Sequence, residues 1–139
     1  MSAFVMDCSV TASWCVTDEM DDYSRTVLET LSTGRAAVPS VWQLEITNVM
    51  LAAERRKRLS AADARRFLDL VLSLPVDIDS NSSPVSSVTI FHLGLQYGLS
   101  AYDASYMELA FRLGLPLATK DRRLLEACKK AGIAIAGIG

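Results

Sequence analysis

Short apolar runs alternate with longer amphipathic segments along this chain, and that alternation is the feature that most restricts its fold. The apolar runs are three to four residues long, which suits strands that are buried on both faces of a sheet. They cover residues 3–6, 36–38, 76–78, 115–118 and 133–136. Strands that alternate with helices predict a parallel sheet covered by helices on both faces, the α/β class of fold.

Helical signals fill the intervals between the apolar runs. Predicted helices begin near Asp22, Pro39, Ser60, Ser82 and Ser100, and the last spans residues 122–131. Ser60 and Ser100 each precede an aspartate by three residues, a pattern typical of the capping box that begins a helix. Apolar side chains at helical spacing include Phe67, Leu70, Val71 and Leu74 in the third helix and Val88, Phe91 and Leu95 in the fourth.

Composition narrows the class of protein further. The length of 139 residues fits one domain over residues 1–139. Half of the residues are hydrophobic, and the net charge is -2. These values argue against disorder and against general polyanion binding. No apolar run approaches the roughly eighteen residues of a membrane span and no signal peptide is evident, so we expect a cytoplasmic protein. Three cysteines without CxxC spacing disfavour a disulfide framework or a thiolate zinc site.

Four acidic residues fall where predicted strands end or helices begin. Asp7 follows the first strand and Asp121 follows the fourth, while Asp103 and Glu45 lie in the first turns of helices. In an open parallel sheet, ligands bind at the carboxyl ends of the strands, so the fold could bring all four acids to one edge. Each acid also has a local explanation, as a helix cap or a solvated helix residue. Carboxylates that converge raise each other's pKa unless a cation neutralises them.

The chemistry of this acid set favours a hard divalent cation. Carboxylate oxygens without imidazole or thiolate neighbours suit Mg²⁺ or Mn²⁺, and His92, the only histidine, lies in a helical pattern away from these motifs. A divalent cation in such a pocket binds a phosphodiester and lowers the pKa of water. The pattern therefore favours hydrolysis of phosphate esters.

Five motifs extend over almost the whole chain. They are Asp7-Cys-Ser9, Trp14, Glu45, Tyr102-Asp103-Ala-Ser-Tyr-Met-Glu-Leu-Ala and Thr119-Lys-Asp121-Arg-Arg-Leu. In order and spacing this set resembles a PIN-domain ribonuclease and, more narrowly, a VapC-type toxin of a type II toxin-antitoxin module. The resemblance implies an α/β/α sandwich with a short, mostly parallel central sheet. It also implies RNA cleavage that depends on Mg²⁺ or Mn²⁺.

The same resemblance assigns roles to individual residues. Asp7, Glu45, Asp103 and Asp121 would form a catalytic acid quartet. Asp7 and Asp103 would contact the metal directly, and Glu45 and Asp121 would act through waters or on a second ion. Ser9 and Thr119 would orient a carboxylate or water, although each could equally be a local cap.

Partners follow from the resemblance and from the apolar composition. A VapB-type antitoxin would fold its C-terminal segment over the toxin and often place an arginine in the acid pocket. Tyr102, Trp42 and the helices around residues 42–72 are candidates for the groove that receives it. The apolar content also favours a homodimer. A structured RNA cut in a loop, of which tRNA is one instance, is the expected substrate class.

Two groups of cations are candidate RNA contacts. Arg122 and Arg123 follow Asp121 directly. Arg55, Arg56, Lys57 and Arg58 form a basic run, which Arg65 and Arg66 extend. Such a run holds phosphates without reading sequence, but it is also typical of a solvated helix end.

Other classes of protein share parts of the pattern. A haloacid dehalogenase-like phosphotransferase would carry Asp-x-Asp where this chain has Asp7 and Ser9. A receiver-like signalling module would need paired acids before its first helix and an acceptor aspartate on its middle strand, which Asp77 and Asp79 match poorly. A non-catalytic PIN-like binding module is the remaining alternative.

Overall fold

Four short parallel strands form the centre of the protein in the order β3-β2-β1-β4. The computed structural model describes residues 1–137, apart from the side chain of Thr17. The strands are β1 (Phe4–Met6), β2 (Ala36–Val38), β3 (Val76–Ile78) and β4 (Leu117–Ala118). The helices are α1 (Cys8–Cys15), α2 (Asp22–Thr30), α3 (Val41–Arg55), α4 (Ala61–Leu72), α5 (Pro84–Tyr97), α6 (Ala101–Leu113) and α7 (Arg122–Ala131), with a 3-10 turn at Thr17–Glu19.

The register of the strands places β1 in the middle of the sheet. Val5 lies opposite Ala37 of β2 on one side and opposite Leu117 of β4 on the other. All three residues of β1 are buried, as are those of β2 and β4. Because parallel strands end at the same edge, the residues that follow β1 and β4 come together there. Asp7 and Thr119 are those residues.

The α/β class and four of the five predicted strands are confirmed. The fifth, residues 133–136, is reduced to a single bridge between Ile135 and Leu117. The fourth begins at Leu117 and not at residue 115, because Pro116 has no N–H and the N–H of Leu115 donates to Ala110 at the end of α6. A two-residue strand offers little edge for a fifth strand to extend along.

Two helices expose apolar side chains that the sequence pattern groups with the core. Leu70 of α4 is 56% exposed, and the buried stripe of that helix is instead formed by Ala64 and Val71, with Phe67 beside them. On α5 the side that faces the core carries Leu93, so Val88, Phe91 and Leu95 are left on the surface. A helix that is apolar on more than one side can bury only the side that meets the sheet.

Trp42 is part of the core and not of a surface groove, which corrects the expectation from sequence. Its side chain is 1% exposed, and its indole Nε1 donates to Thr11 Oγ1 of α1 at 3.0 Å. A buried indole needs such an acceptor, and Thr11 supplies it. The bond connects α3 to α1, the helix that follows Asp7.

No helix within residues 1–137 combines the length and the hydropathy needed to cross a lipid bilayer.

Candidate active site

Asp7 is the buried centre of the acid cluster. It is 4% exposed, and it caps α1 by accepting the N–H groups of Ser9 at 3.0 Å and Val10 at 3.4 Å on Oδ1. The hydroxyls of Ser9 and Thr119 each donate to it at 2.6 Å, to Oδ1 and Oδ2 respectively. Three donors meet Oδ1 and one meets Oδ2. The side of Asp7 that remains able to accept a cation is therefore Oδ2.

Ser9 and Thr119 join Asp7 to the end of β4. Ser9 Oγ accepts the N–H of Lys120 at 2.8 Å, and Thr119 Oγ1 accepts the N–H of Asp121 at 3.0 Å. Each hydroxyl thus donates to Asp7 and accepts from the chain that leads into α7. This network fixes the Asp7 carboxylate relative to Asp121, which is the geometry expected of residues that orient a ligand group.

Asp121 combines a capping role with a free oxygen. Its Oδ1 accepts the N–H of Leu124 at 3.0 Å and begins α7. Its Oδ2 accepts no hydrogen bond from residues 1–137. The local explanation from sequence is therefore correct for one oxygen, and the other remains available to a ligand. Asp103 occupies the first turn of α6, where its own N–H is capped by Ser100.

Glu45 enters the cluster through a contact that the sequence analysis missed. Its Oε1 accepts the hydroxyl of Tyr106 at 2.5 Å, and Tyr106 is 1% exposed. A buried tyrosine hydroxyl requires a partner. Tyr106 follows Asp103 by three residues on α6, so helical spacing alone could have assigned it to the same side as that acid. The bond holds α3 against α6 at the site.

The pKa values of the acids show that their charges reach one another. Burial raises the pKa of Asp7 to about 6, against the lowering effect of Ser9 and Thr119, and the charge of Asp121 adds to the rise. Burial also raises the pKa of Asp103, and Asp121 again contributes. Burial and then the charge of Asp103 raise the pKa of Glu45. The fold therefore brings all four predicted acids into one electrostatic cluster.

Cys8 lies inside the same cluster but is not a nucleophile. Burial raises the pKa of its thiol well above the usual value, and the charges of Glu45 and Asp7 raise it further. A thiol in such surroundings stays protonated and unreactive. The chemistry of the site thus rests on carboxylates.

The predicted cations divide into two groups in the structure. The charge of Arg123 lowers the pKa of Asp103, which shows that Arg123 lies near the acids. Arg122 is its exposed neighbour in the first turn of α7. The run from Arg55 to Arg58 lies at the opposite end of α3 from Glu45, about 15 Å along the helix axis. Arg58 is also paired with Asp18 at 2.8 Å. A phosphate at the acids can therefore reach the first group more easily than the second.

The donor set fits a hard divalent cation. It consists of carboxylates and hydroxyls, and no salt bridge within residues 1–137 involves Asp7, Glu45, Asp103 or Asp121. As the side chains stand in this part of the chain, no three acidic, histidine or cysteine side chains are close enough to hold an ion between them. Mg²⁺ commonly uses one or two carboxylates and keeps several waters, so two of the four acids would be a sufficient direct set.

Comparison with known proteins places the chain in a family. The model of the PIN domain matches residues 5–130. Ribonuclease VapC9 of Mycobacterium tuberculosis and a VapC ribonuclease of Mycobacterium bovis are each 38% identical to it over 90 residues, which is 65% of this chain and 68% of theirs.

Solved structures share the fold. PAE2754 from Pyrobaculum aerophilum superposes with a TM-score of 0.70 at 25% identity, over 91% of this chain and 86% of the other. VapBC2 from Rickettsia felis, bound to a DNA fragment from its promoter, superposes with a TM-score of 0.67 at 14% identity, over 96% of each chain. The matched segment contains every acid of the cluster, and the chain belongs to the PIN-domain family and, within it, to the VapC ribonucleases.

Proposed function

We propose that this protein is the toxin of a type II toxin-antitoxin module and cleaves RNA internally with the help of Mg²⁺ or Mn²⁺. The observation that carries the proposal is a cluster of four carboxylates that form no salt bridge within residues 1–137, where the charge of Arg123 reaches Asp103 alone. Such a cluster is electrostatically costly unless a cation joins it. A divalent cation would be held by Asp7 and Asp103, with Glu45 and Asp121 around it. When bound, it would supply charge neutralisation and a lowered pKa for water.

The side chains around the cluster have separate tasks in this proposal. The hydroxyl groups of Ser9 and Thr119 donate hydrogen bonds that would orient the Asp7 carboxylate towards the cation. Tyr106 fixes Glu45. Arg123 and its neighbour Arg122 contact the RNA backbone, since a guanidinium pairs well with a phosphate. No protein nucleophile is required.

The substrate proposed is a structured RNA that is cut in a loop. Bases in loops are unstacked and can be reached by protein side chains, whereas those in a duplex are not. VapC20 of Mycobacterium tuberculosis, which shares the fold at a TM-score of 0.64 and 14% identity, is described as a toxin that cleaves the sarcin-ricin loop. For this chain, tRNA is one candidate among loop-containing RNAs.

The partner proposed is a VapB-type antitoxin. A cleft of about 270 Å³ between α3 and α4 is lined mainly by apolar atoms, including Met50, Leu51 and Leu68. An amphipathic antitoxin segment fits such a groove, and an arginine from it would neutralise the acids in place of the metal. A toxin-antitoxin complex from Klebsiella pneumoniae shares the fold at a TM-score of 0.58 and 18% identity. The homodimer stays a prediction.

The proposal is tested by cleavage of a mixed pool of small RNAs with Mg²⁺, with Mn²⁺ and with EDTA. Asp7→Asn and Asp103→Asn should each lose cleavage by roughly 100-fold or more, because each removes a charge that the cation needs. Asp69→Asn is the matched control, since Asp69 is an exposed acid of α4 paired with Arg65.

Cutting that survives in EDTA would contradict metal dependence. Absence of cutting under every condition, in folded protein free of antitoxin, would favour the non-catalytic binding module.

A further inference from the structure

A cleft of about 350 Å³ opens at the start of α6, the helix whose first turn carries Asp103. Three elements form it: the start of α3, the middle of α5 and the start of α6. Its walls include Ser40, Val41, Ile90, Phe91, Tyr102 and Ser105. The volume lies within the range of small-ligand sites. None of the residues that line it carries a charge.

The cleft and the acids share two helix starts. Val41 precedes Glu45 by one helical turn, about 6 Å along α3. Tyr102 directly precedes Asp103 in the first turn of α6. A ligand in the cleft is therefore joined to the acids by the same two segments that position Glu45 and Asp103.

The surface of the cleft suits a flat apolar ligand with polar edges. The rings of Phe91 and Tyr102 are each 62% exposed, so both have a free surface for stacking. The Ser40 hydroxyl adds a hydrogen-bonding group at the wall, and Ser105 Oγ, which donates to the carbonyl oxygen of Tyr102, adds an acceptor. Aromatic rings that line a nucleic-acid path bind bases by stacking, and small hydroxyls contact their edges.

A second cleft is lined by charged side chains. It has a volume of about 430 Å³, and its lining includes the cations Arg123 and Lys130 and the acid Glu126. Cations there suit a phosphate, whereas the uncharged cleft does not.

We infer that the uncharged cleft binds a nucleobase adjacent to the scissile phosphate and that Tyr102 is its main stacking residue. The inference rests on the proposed function, because it takes the ligand of the acid cluster to be RNA. It assigns the substrate a single-stranded base that is turned out of any helix at the cut. Tyr102 is then a positioning residue that influences which bases are accepted, and it takes no part in the chemistry.

The test is a binding measurement that does not depend on cleavage. Fluorescence anisotropy in EDTA would follow a fluorescein-labelled oligoadenylate and an abasic oligomer of the same length and charge. The wild-type protein should bind the oligoadenylate more tightly than it binds the abasic oligomer. Tyr102→Ala should weaken that binding by roughly 5- to 150-fold and leave the abasic oligomer unchanged, as expected when one stacked base is lost.

Two control variants separate stacking from other effects. Tyr102→Phe keeps the ring and should bind within about 2-fold of wild type. Val85→Ala shortens another exposed apolar side chain of α5 that does not line the cleft, and it should change neither affinity. In cleavage assays Tyr102→Ala should raise KM more than it lowers kcat.

Three results would overturn the inference. One is equal weakening of both oligomers by Tyr102→Ala, and another is full retention of the base preference. The third is a change from dimer to monomer in sedimentation equilibrium with the base preference intact, which would make the cleft an interface between two copies. Base-dependent binding without any metal-dependent cleavage would instead reject the proposed function and leave the base site standing.

Discussion

Carboxylates at the edge strand β3 and at the central strand β1 lie in opposite electrostatic environments. In β3, Asp77 is paired with Arg35 at 2.7 Å, and its pKa is lowered to about 2 by that guanidinium and by Ser2. Beside β1, Asp7 has hydroxyl and backbone donors only, and its pKa is raised to about 6 by burial. Both residues belong to or directly follow a strand of the same sheet. The difference lies in whether the fold supplies a cation.

The comparison separates acids that have a counter-ion within residues 1–137 from acids that have none. Near β3, Arg112 bonds Glu108 at 3.0 Å and Asp79 at 2.6 Å, so each of these acids has its counter-ion within the chain. The acids at the ends of β1 and β4 lack one among the described residues. In the proposed function, an external cation, either a metal or the arginine of an antitoxin, would gain the attraction that no residue of the fold uses.

The largest effect is expected in the pH dependence of the free energy of unfolding of the metal-free protein. Between pH about 4 and 6 the folded state keeps a proton on Asp7 that the unfolded state has released. The free energy of unfolding should therefore fall as pH rises through this window, by about 3 kcal/mol from this group. Urea denaturation of wild type and Asp7→Asn in EDTA at several pH values would measure the difference.

If Mg²⁺ binds Asp7 as proposed, it favours the charged form of the carboxylate and should flatten that difference. Parallel pH profiles for wild type and Asp7→Asn would contradict the raised pKa. Asp77 should contribute with the opposite sign, because its lowered pKa adds stability that is lost as pH falls below about 4 towards 2.

A smaller effect is expected from the arginine on the β3 side. Arg112→Ala would leave Glu108, which is 5% exposed, without its counter-ion. We expect a loss of about 2 kcal/mol in the free energy of unfolding, below the value for a fully buried pair because Arg112 is partly exposed. RNA cleavage below the melting temperature should stay within about 2-fold of wild type.

Arg25→Ala is the matched control, because its pair with Asp22 is exposed and should contribute little. Loss of cleavage in Arg112→Ala at unchanged stability would mean that the two sides of the sheet are not functionally distinct.

The smallest effect is expected from Arg35→Met. The Arg35–Asp77 pair is about half exposed on both partners, so solvent and salt screen it. Thermal unfolding should show a smaller destabilisation than for Arg112→Ala, and high ionic strength should remove most of it. The pKa of Asp77 should rise towards its usual value, which a carboxyl NMR titration would detect. An unchanged pKa would show that Ser2 and not Arg35 lowers it.

Much of the fold and the acid set could be predicted from local patterns. The last helix spans the predicted residues, and four strands lie where short apolar runs predicted them, with β1 and β4 beginning one and two residues later than predicted. The four acids were identified from their positions after strands and in first helical turns. Asp7 and Asp121 are indeed helix caps, but a cap engages only part of a carboxylate. The local explanation and the functional one are therefore compatible.

Other features depend on contacts between distant segments. Tyr106 and Glu45 are 61 residues apart, so no local pattern pairs them. The exposure of Phe91 and Leu70 depends on which side of each helix meets the sheet. The run from Arg55 to Arg58 is strongly basic in sequence, yet the length of α3 separates it from the acids.

The sequence by itself determined the alternation of strands and helices, because hydrophobic spacing and capping residues act over a few neighbours. It also determined the carboxylate chemistry of the site, because that depends on residue type alone. Only the tertiary structure decided which acids interact with one another, which are neutralised by arginine and where a cleft opens beside Tyr102. Those outcomes depend on burial and on distances between segments far apart in the chain, and both exist only after the helices pack on the sheet.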